Sequence, residues 1–275
     1  MITVGLLSSL AHLGKPLRAW RAMSQWCSSW LSREGVMSLL TYVPALALTA
    51  LLLPSLIAAS TATPALHGNA LGIAVCLAAI AGAVLTVVCT AMIYASLKPI
   101  PAWQHVLVVP AYLLFALLCG SALLAAGLAG FGALGNAGGG LAVVIATAAI
   151  ATGATKLTYW RDIDRTPLTV TRGDGVGLPG REVSVFERPH TQDNYLTREM
   201  GFVVARTHAR KLRAIALLLF AGLPLLLAAL AWWLPASAIV AFPTAALAAL
   251  AALAGALVER WLFFAEARHL VTLYY

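Results

Sequence analysis

The chain has 275 residues, of which 61% are hydrophobic and only 10% charged, and its mean hydropathy is +0.89. A soluble domain carries roughly 25% charged residues because water must wet its surface, so a soluble enzyme is excluded and a helical integral membrane protein remains. The net charge of +8, from 18 Lys+Arg against 10 Asp+Glu, then reads as basic residues kept in cytoplasmic loops, not as a nucleic-acid surface.

A bilayer core of about 30 Å needs roughly 20 apolar residues at 1.5 Å rise each. By that ruler the fold class is all-α: a multi-pass bundle of six complete spans plus a partial N-terminal one, forming a single membrane domain over 1–275. The partial span is Ile2–His12, apolar but half the needed length. It lacks the basic start of a secretory signal, and is either a helix whose beginning is missing, the preferred reading, or a short re-entrant segment. Next comes Gly14–Leu31. At 100° per residue Leu17, Trp20, Cys27 and Leu31 share a face and Lys15, Arg18 and Arg21 turn away from it, which suits an amphipathic helix in the interface plane.

The complete spans follow at about Gly35–Ser60, Asn69–Leu97, His105–Gly130, Gly140–Leu157, Leu212–Leu234 and Ser237–Val258. Prolines 44, 54, 110, 224 and 243 lie inside them, where neighbouring helices re-satisfy the freed backbone groups. Counting the crossings alternately puts all 18 basic and all 10 acidic residues on one face, leaving only His67 as an ionisable side chain on the other. The positive-inside rule makes the charged face cytoplasmic. The spans are read as free of charge. With no clear internal repeat, that argues against a small-solute transporter.

The polar segment 156–211 is expected to be a loop or cap within the domain, solvated or offered to a partner subunit. Arg161, Asp162, Asp164 and Arg165 can pair locally there, Thr169–Gly180 is turn-rich, and Asn194–Arg210 can form a helix leading into the next span. Gly175-Val-Gly177-Leu-Pro-Gly180 spells a dinucleotide fingerprint, but polar loop surrounds it and Pro179 interrupts it, so it reads as loop. Cys27, Cys76, Cys89 and Cys119 are scattered and show no metal-ligand spacing. None of the six histidines sits mid-span in a facing pair, so no haem is expected and no metal ligand is assigned. His105, at a span edge, reads as interfacial.

His12 and Glu34 stand at the two ends of the basic surface segment, on the same face. Quinol oxidation releases two electrons and two protons, so its site needs proton acceptors beside an apolar slot. A histidine and an interfacial carboxylate meet that need. The plainer alternative is that His12 is an interface residue and Glu34 pairs with Arg33 or caps its helix.

His-Leu-Gly-x-Pro-x-Arg-Ala at 12–19, with Ser32-Arg33-Glu34 closing the loop, resembles the membrane-anchor subunit of bacterial dimethyl sulfoxide reductase. Glu259-Arg260-Trp261-Leu262-Phe263-Phe264 looks like the end of that family's last helix, and the stretch with Pro189-His190-Thr191 and Asn194-Tyr195-Leu196 resembles an insert in some members. The resemblance implies an anchor in the bacterial inner membrane with no redox centre of its own. Such an anchor oxidises menaquinol or a similar quinol in anaerobic electron transport and passes electrons to an iron–sulfur subunit. That partner feeds a molybdenum-cofactor subunit, expected in the periplasm, which reduces an S-oxide or N-oxide. The quinol-site residues it implies are His12, Glu34 and, as the basic residue of the same loop, Arg18. It also implies eight spans, the first and part of the second preceding Met1. The rival reading is a non-redox scaffold that assembles partner subunits.

Overall fold

The structure is a computed structural model. It describes residues 14–57, 69–135, 137–166, 170–187, 206–233 and 238–273, together with Thr3 and Ser8. Apart from those two residues, the expected partial helix over 2–12 lies outside this set, as do 189–191 and 194–196. Six helices among the described residues are long and apolar enough to cross a membrane, and none of the described residues forms a strand. The helices are α1 (Trp30–Ile57), α2 (Ala70–Ala95), α3 (Val108–Gly130), α4 (Ala137–Arg165), α5 (Ala209–Trp233) and α6 (Ala238–Ala265). The all-α class and the six complete spans are as expected. The chain divides into two compact units, Met1–Tyr94 and Ala95–Tyr275.

In the first unit, residues Pro16–Gln25 form a 3-10 helix rather than the expected α-helical face. Pro16 opens it, supplying a fixed φ and needing no N–H partner in the first turn. At three residues per turn the side chains advance by about 120° each, so Leu17 and Trp20 still stack on one face, whereas Cys27 and Leu31 lie beyond this helix. Leu17, Trp20 and Leu31 are all exposed. The 3-10 helix packs on α1.

A polar seam joins α1 to α2. Glu34, Ser38 and Thr41 recur at i, i+4 and i+7 on α1, which is one helix face. Gly82, Thr86 and Thr90 recur every fourth residue on α2. The Thr90 hydroxyl donates to Glu34 Oε1 at 2.7 Å, Thr41 and Thr86 share a hydroxyl contact at 3.4 Å, and Ser38 is buried. At Gly82 a Cβ would meet Thr41 Oγ1 at 2.7 Å, so only glycine admits that approach. In lipid, where apolar side chains gain nothing by leaving their surroundings, small residues and interhelical hydrogen bonds are what hold helices together.

The second unit is a four-helix ring in which α3 packs on α4 and α6, and α5 packs on the same two helices. Phe115 meets Phe220 edge to face at 4.9 Å, and Leu118, Ala149, Thr152, Phe220 and Ala252 are wholly buried. Within α5, Leu218–Gly222 is a π turn. Pro224 follows it, with no N–H to return to the Phe220 carbonyl. Gly255 of α6 lies against this turn so closely that a Cβ there would come within 3 Å of the Phe220 and Leu219 backbone. At the end of the ring where α3 finishes and α4 begins, an apolar cavity of about 120 Å³ is lined by Gly138, Ala142, Ala228, Ala245 and their neighbours.

At the opposite end the segment joining α2 to α3 is bolted down. Trp103 Nε1 donates to the Phe263 carbonyl at 2.9 Å, Tyr159 donates to the Ala102 carbonyl at 2.9 Å, and Leu270 N–H donates to the Pro99 carbonyl at 3.0 Å. Beyond α4, a single helical turn Arg172–Gly175 is closed by a reciprocal cap between Thr171 and Asp174. The hydrogen bonds from the Thr171 backbone and hydroxyl hold the Asp174 carboxyl below its ordinary pKa. The following Gly177 and Gly180 take φ +76° and +75°, so the fingerprint-like string is a loop with no strand before it among the described residues.

Candidate functional site

Glu34 is the fifth residue of α1, about 6 Å along the helix axis from its start. It is half-buried and, among the described residues, makes no ion pair. Its neighbour Arg33 is committed elsewhere: Nε donates to the Trp26 carbonyl at 2.9 Å, Nη2 to the Cys27 carbonyl at 2.8 Å, and the guanidinium stacks on Trp30 at 4.3 Å. The alternative of a Glu34–Arg33 pair is therefore not what forms. Arg33 instead closes the turn between the 3-10 helix and α1. Thr90, whose hydroxyl also lies 3.0 Å from the Thr86 carbonyl, is the one described side chain that hydrogen-bonds Glu34. Nearby on α1, Ser32 is buried with an unsatisfied Oγ.

Arg18 lies on the 3-10 helix, exposed, and no hydrogen bond or ion pair among the described residues joins it to Glu34. His12 lies outside the described residues. Of the three sequence-derived site residues, the structure thus gives Glu34 a defined setting and leaves Arg18 in solvent or headgroup surroundings. Among the described residues no three His, Cys, Asp or Glu side chains gather to hold a metal ion.

A second charged constellation was not anticipated, and it corrects the reading of charge-free spans. Lys156 on α4 and Glu259 on α6 form an ion pair at 2.5 Å, each only 2% exposed. Lys156 stands about 14 Å inside the α4 end, because α4 continues helical to Arg165. Its ammonium lies over the Tyr159 ring at 3.9 Å and 5.1 Å from that of Trp160. Arg260 Nη2 takes the other Glu259 oxygen at 3.1 Å and stacks on Tyr112 at 4.1 Å. The expected local pairing of Arg161, Asp162, Asp164 and Arg165 is also corrected. Arg161 and Asp164, like Asp162 and Arg165, stand three apart on one helix face, but among the described residues no ion pair joins them: Asp164 binds Arg213 and Asp162 faces His105.

Asp164 receives Arg213 of α5 through two bonds, at 2.6 and 3.0 Å, and the same guanidinium donates to Glu266 at 3.0 Å. Burial pushes the Glu266 carboxyl up in pKa, an effect that Arg213 only partly offsets. Asp162 stands 3.5 Å from His105 Nε2, while His105 Nδ1 accepts from the Leu107 N–H at 3.2 Å. The neutral ring therefore carries its proton on Nε2. Burial lowers the His105 pKa more than Asp162 raises it. His105 lies just before α3 and forms part of the wall of a cavity of about 430 Å³. The signal for this cluster lay in the charged residues of 156–165 and 259–266, but partners such as Asp164 and Arg213 stand 49 residues apart and leave no local pattern.

The family model described as DMSO reductase anchor subunit (DmsC) matches residues 1–265. The chain is similar to a sulfite dehydrogenase subunit of Allochromatium vinosum, at 31% identity over 295 aligned residues that take in 100% of this chain and 82% of the relative. No solved structure matches it. An apolar six-span body, a specific loop motif and a matching family over nearly the whole length lead to one conclusion: the chain belongs to the family of DMSO reductase anchor subunits and is a multi-pass membrane anchor of an oxidoreductase complex.

Proposed function

We propose that this anchor exchanges electrons with the membrane quinone pool at a site containing Glu34, and serves a molybdenum-cofactor enzyme through an iron–sulfur subunit. The observation that carries the reading is a half-buried carboxylate near the mouth of a span, held by the Thr90 hydroxyl and, among the described residues, without a cation. A buried charge kept for structure is paired. One left with a single hydroxyl partner can take up and release a proton. On quinol oxidation two electrons leave for the iron–sulfur partner and two protons leave the hydroxyls. Glu34 accepts one and passes it towards water. His12, which enters through the family resemblance, is the second acceptor or a headgroup ligand. Arg18, exposed and basic, steadies a quinone oxygen or a lipid phosphate.

A second reading runs the same site backwards. The relative named for a sulfite dehydrogenase favours it: electrons taken from sulfite would arrive through the partner, and the quinone would gain two electrons and two protons. The family resemblance favours the forward direction, with an S-oxide or N-oxide as terminal acceptor. The charge-free-span ground against a solute transporter no longer stands, since Lys156 and Glu259 lie inside the helices. Membership of an anchor family takes its place.

The test uses the assembled complex in membranes. Glu34→Gln is expected to lower quinone-linked turnover about 100-fold, while turnover with a water-soluble dye that meets the catalytic subunit directly is kept. Unchanged quinone-linked turnover in both Glu34→Gln and His12→Gln would leave a non-redox scaffold. Quinol analogue with an S-oxide, against quinone with sulfite, separates the two directions.

A further inference from the structure

The 3-10 helix Pro16–Gln25 repeats every three residues, and its sequence does the same. In this geometry side chains three apart stand above one another, at about 2 Å rise per residue. Arg18 and Arg21 therefore share one row, begun by Lys15 at the N-cap and about 12 Å long. Leu17, Trp20 and Met23 share the next, which Trp26 continues at the end of the helix. The third row, with Ala19, Ala22 and Gln25, is uncharged. The basic and the apolar rows both face outward: the three basic residues are exposed, and Leu17 and Trp20 are 93% and 63% exposed. Arg21 lies over the Trp20 ring at 5.7 Å and so ties the two rows together. Among the described residues no ion pair involves Lys15, Arg18 or Arg21. Glu34 is the one acidic residue in positions 1–94, and the Thr90 hydroxyl holds it. Like charges set in line repel unless an anion lies beside them.

Two features indicate which anion. The helix stands just before a span, since α1 starts at Trp30 and Arg33 closes the turn between them. Its apolar row carries two tryptophans, the residue type that settles where headgroups meet hydrocarbon. A soluble anion would leave that row bare, whereas a phospholipid offers phosphate to one row and acyl chain to the other. We propose that this helix is a docking surface for anionic phospholipid, with Lys15, Arg18 and Arg21 taking the phosphates and Leu17, Trp20 and Met23 entering the acyl region. Arg18 then holds a lipid phosphate, not a quinone oxygen. Lipid binding by these rows needs no turnover at Glu34, so its measurement stands apart from the quinone site.

The full chain in phosphatidylcholine nanodiscs tests this through quenching of tryptophan fluorescence by brominated lipids. Brominated phosphatidylglycerol is expected to quench well beyond its mole fraction, and brominated phosphatidylcholine only in proportion to it. The excess should vanish when Trp20→Phe and Trp26→Phe are combined. Replacing the three basic residues together (Lys15→Gln, Arg18→Gln, Arg21→Gln) should weaken the preference about a hundred-fold, and each alone about five-fold. The charge-keeping set Lys15→Arg, Arg18→Lys, Arg21→Lys should retain it. In the unmutated chain raised salt should remove the preference, which keeps the test independent of how the variants fold, and inorganic phosphate at matched ionic strength should do no more than other salts. Equal quenching by the two lipids would overturn the proposal. So would a preference kept in the glutamine triple, displaced specifically by inorganic phosphate, or unaffected by loss of Trp20 and Trp26. A preference shown by the chain alone but absent from lipid retained by the assembled complex in native mass spectrometry would also overturn it, and would mark the surface as covered by a partner subunit.

Discussion

The two units of the chain solve the same problem differently. In the residue 95–275 unit, between 28% and 39% of each helix's most apolar window is buried, against 6% and 11% for α1 and α2. The four-helix unit pairs charges across helices: Lys156 with Glu259 and Arg260 in its interior, and Arg213 with Glu266 and the exposed Asp164 at one end. The first unit joins its helices by hydroxyls and one carboxylate, which pairs with no cation among the described residues. Charge that is paired and enclosed holds helices in register, whereas a carboxylate held by a single hydroxyl keeps its second oxygen open to another partner. On the proposed function, that difference separates a structural unit from a reactive one.

The largest expected effect breaks the enclosed pair. Lys156→Met leaves Glu259 buried with only Arg260 beside it and should cost about 3–5 kcal/mol of stability, measured by unfolding of the full chain in detergent. Lys156→Met with Glu259→Met should recover most of the loss. If the double variant were no better than the single, the two side chains would not be acting as a pair. Next in size is Gly255→Ala, which drives a Cβ into the π turn of α5 and should cost about 1–3 kcal/mol. The same change at Gly140, which meets nothing within 4 Å, should cost little.

Smaller again is Thr90→Val in the seam, where an interhelical hydrogen bond in a membrane is worth about 0.6 kcal/mol on average. Its signature is functional: quinone-linked turnover should fall while the dye-linked rate stays. The smallest effect concerns His105. Its pKa is depressed in the folded chain, so the unfolded chain binds the extra proton. Stability is then present above the ordinary histidine pKa of about 6.5 and is lost as pH falls below it. Protonating Nδ1 would also end the bond from Leu107 N–H. The difference in melting temperature between the unmutated chain and His105→Gln should therefore shrink as pH falls through that range. Glu266, whose pKa is raised, acts with the opposite sign and cancels in this difference.

The spans were legible because lipid imposes a length and an apolarity that composition displays directly. Their polar ends were less so. Helix α4 runs to Arg165 through residues that hydropathy assigns to a loop, since its charges are neutralised by α5, α6 and the segment before α3, far off in sequence. The seam had a usable signal in the four-residue spacing of Glu34, Ser38 and Thr41 and of Gly82, Thr86 and Thr90, with only Glu34 singled out. The 3-10 geometry after Pro16 was invisible to a count made at the α-helical angle. Glu34 itself was identified by its place beside a loop motif, and that Arg33 does not pair with it could be learned only from where Arg33 turns.

The most direct measurement of the central claim is photolabelling of the assembled complex with an azidoquinone, followed by mapping of the modified peptides. The account predicts label on the stretch around Glu34 or on α2 near Thr90, suppressed by excess native quinone and reduced in Glu34→Gln. Label confined to residues 95–275, or label indifferent to competing quinone, would contradict it.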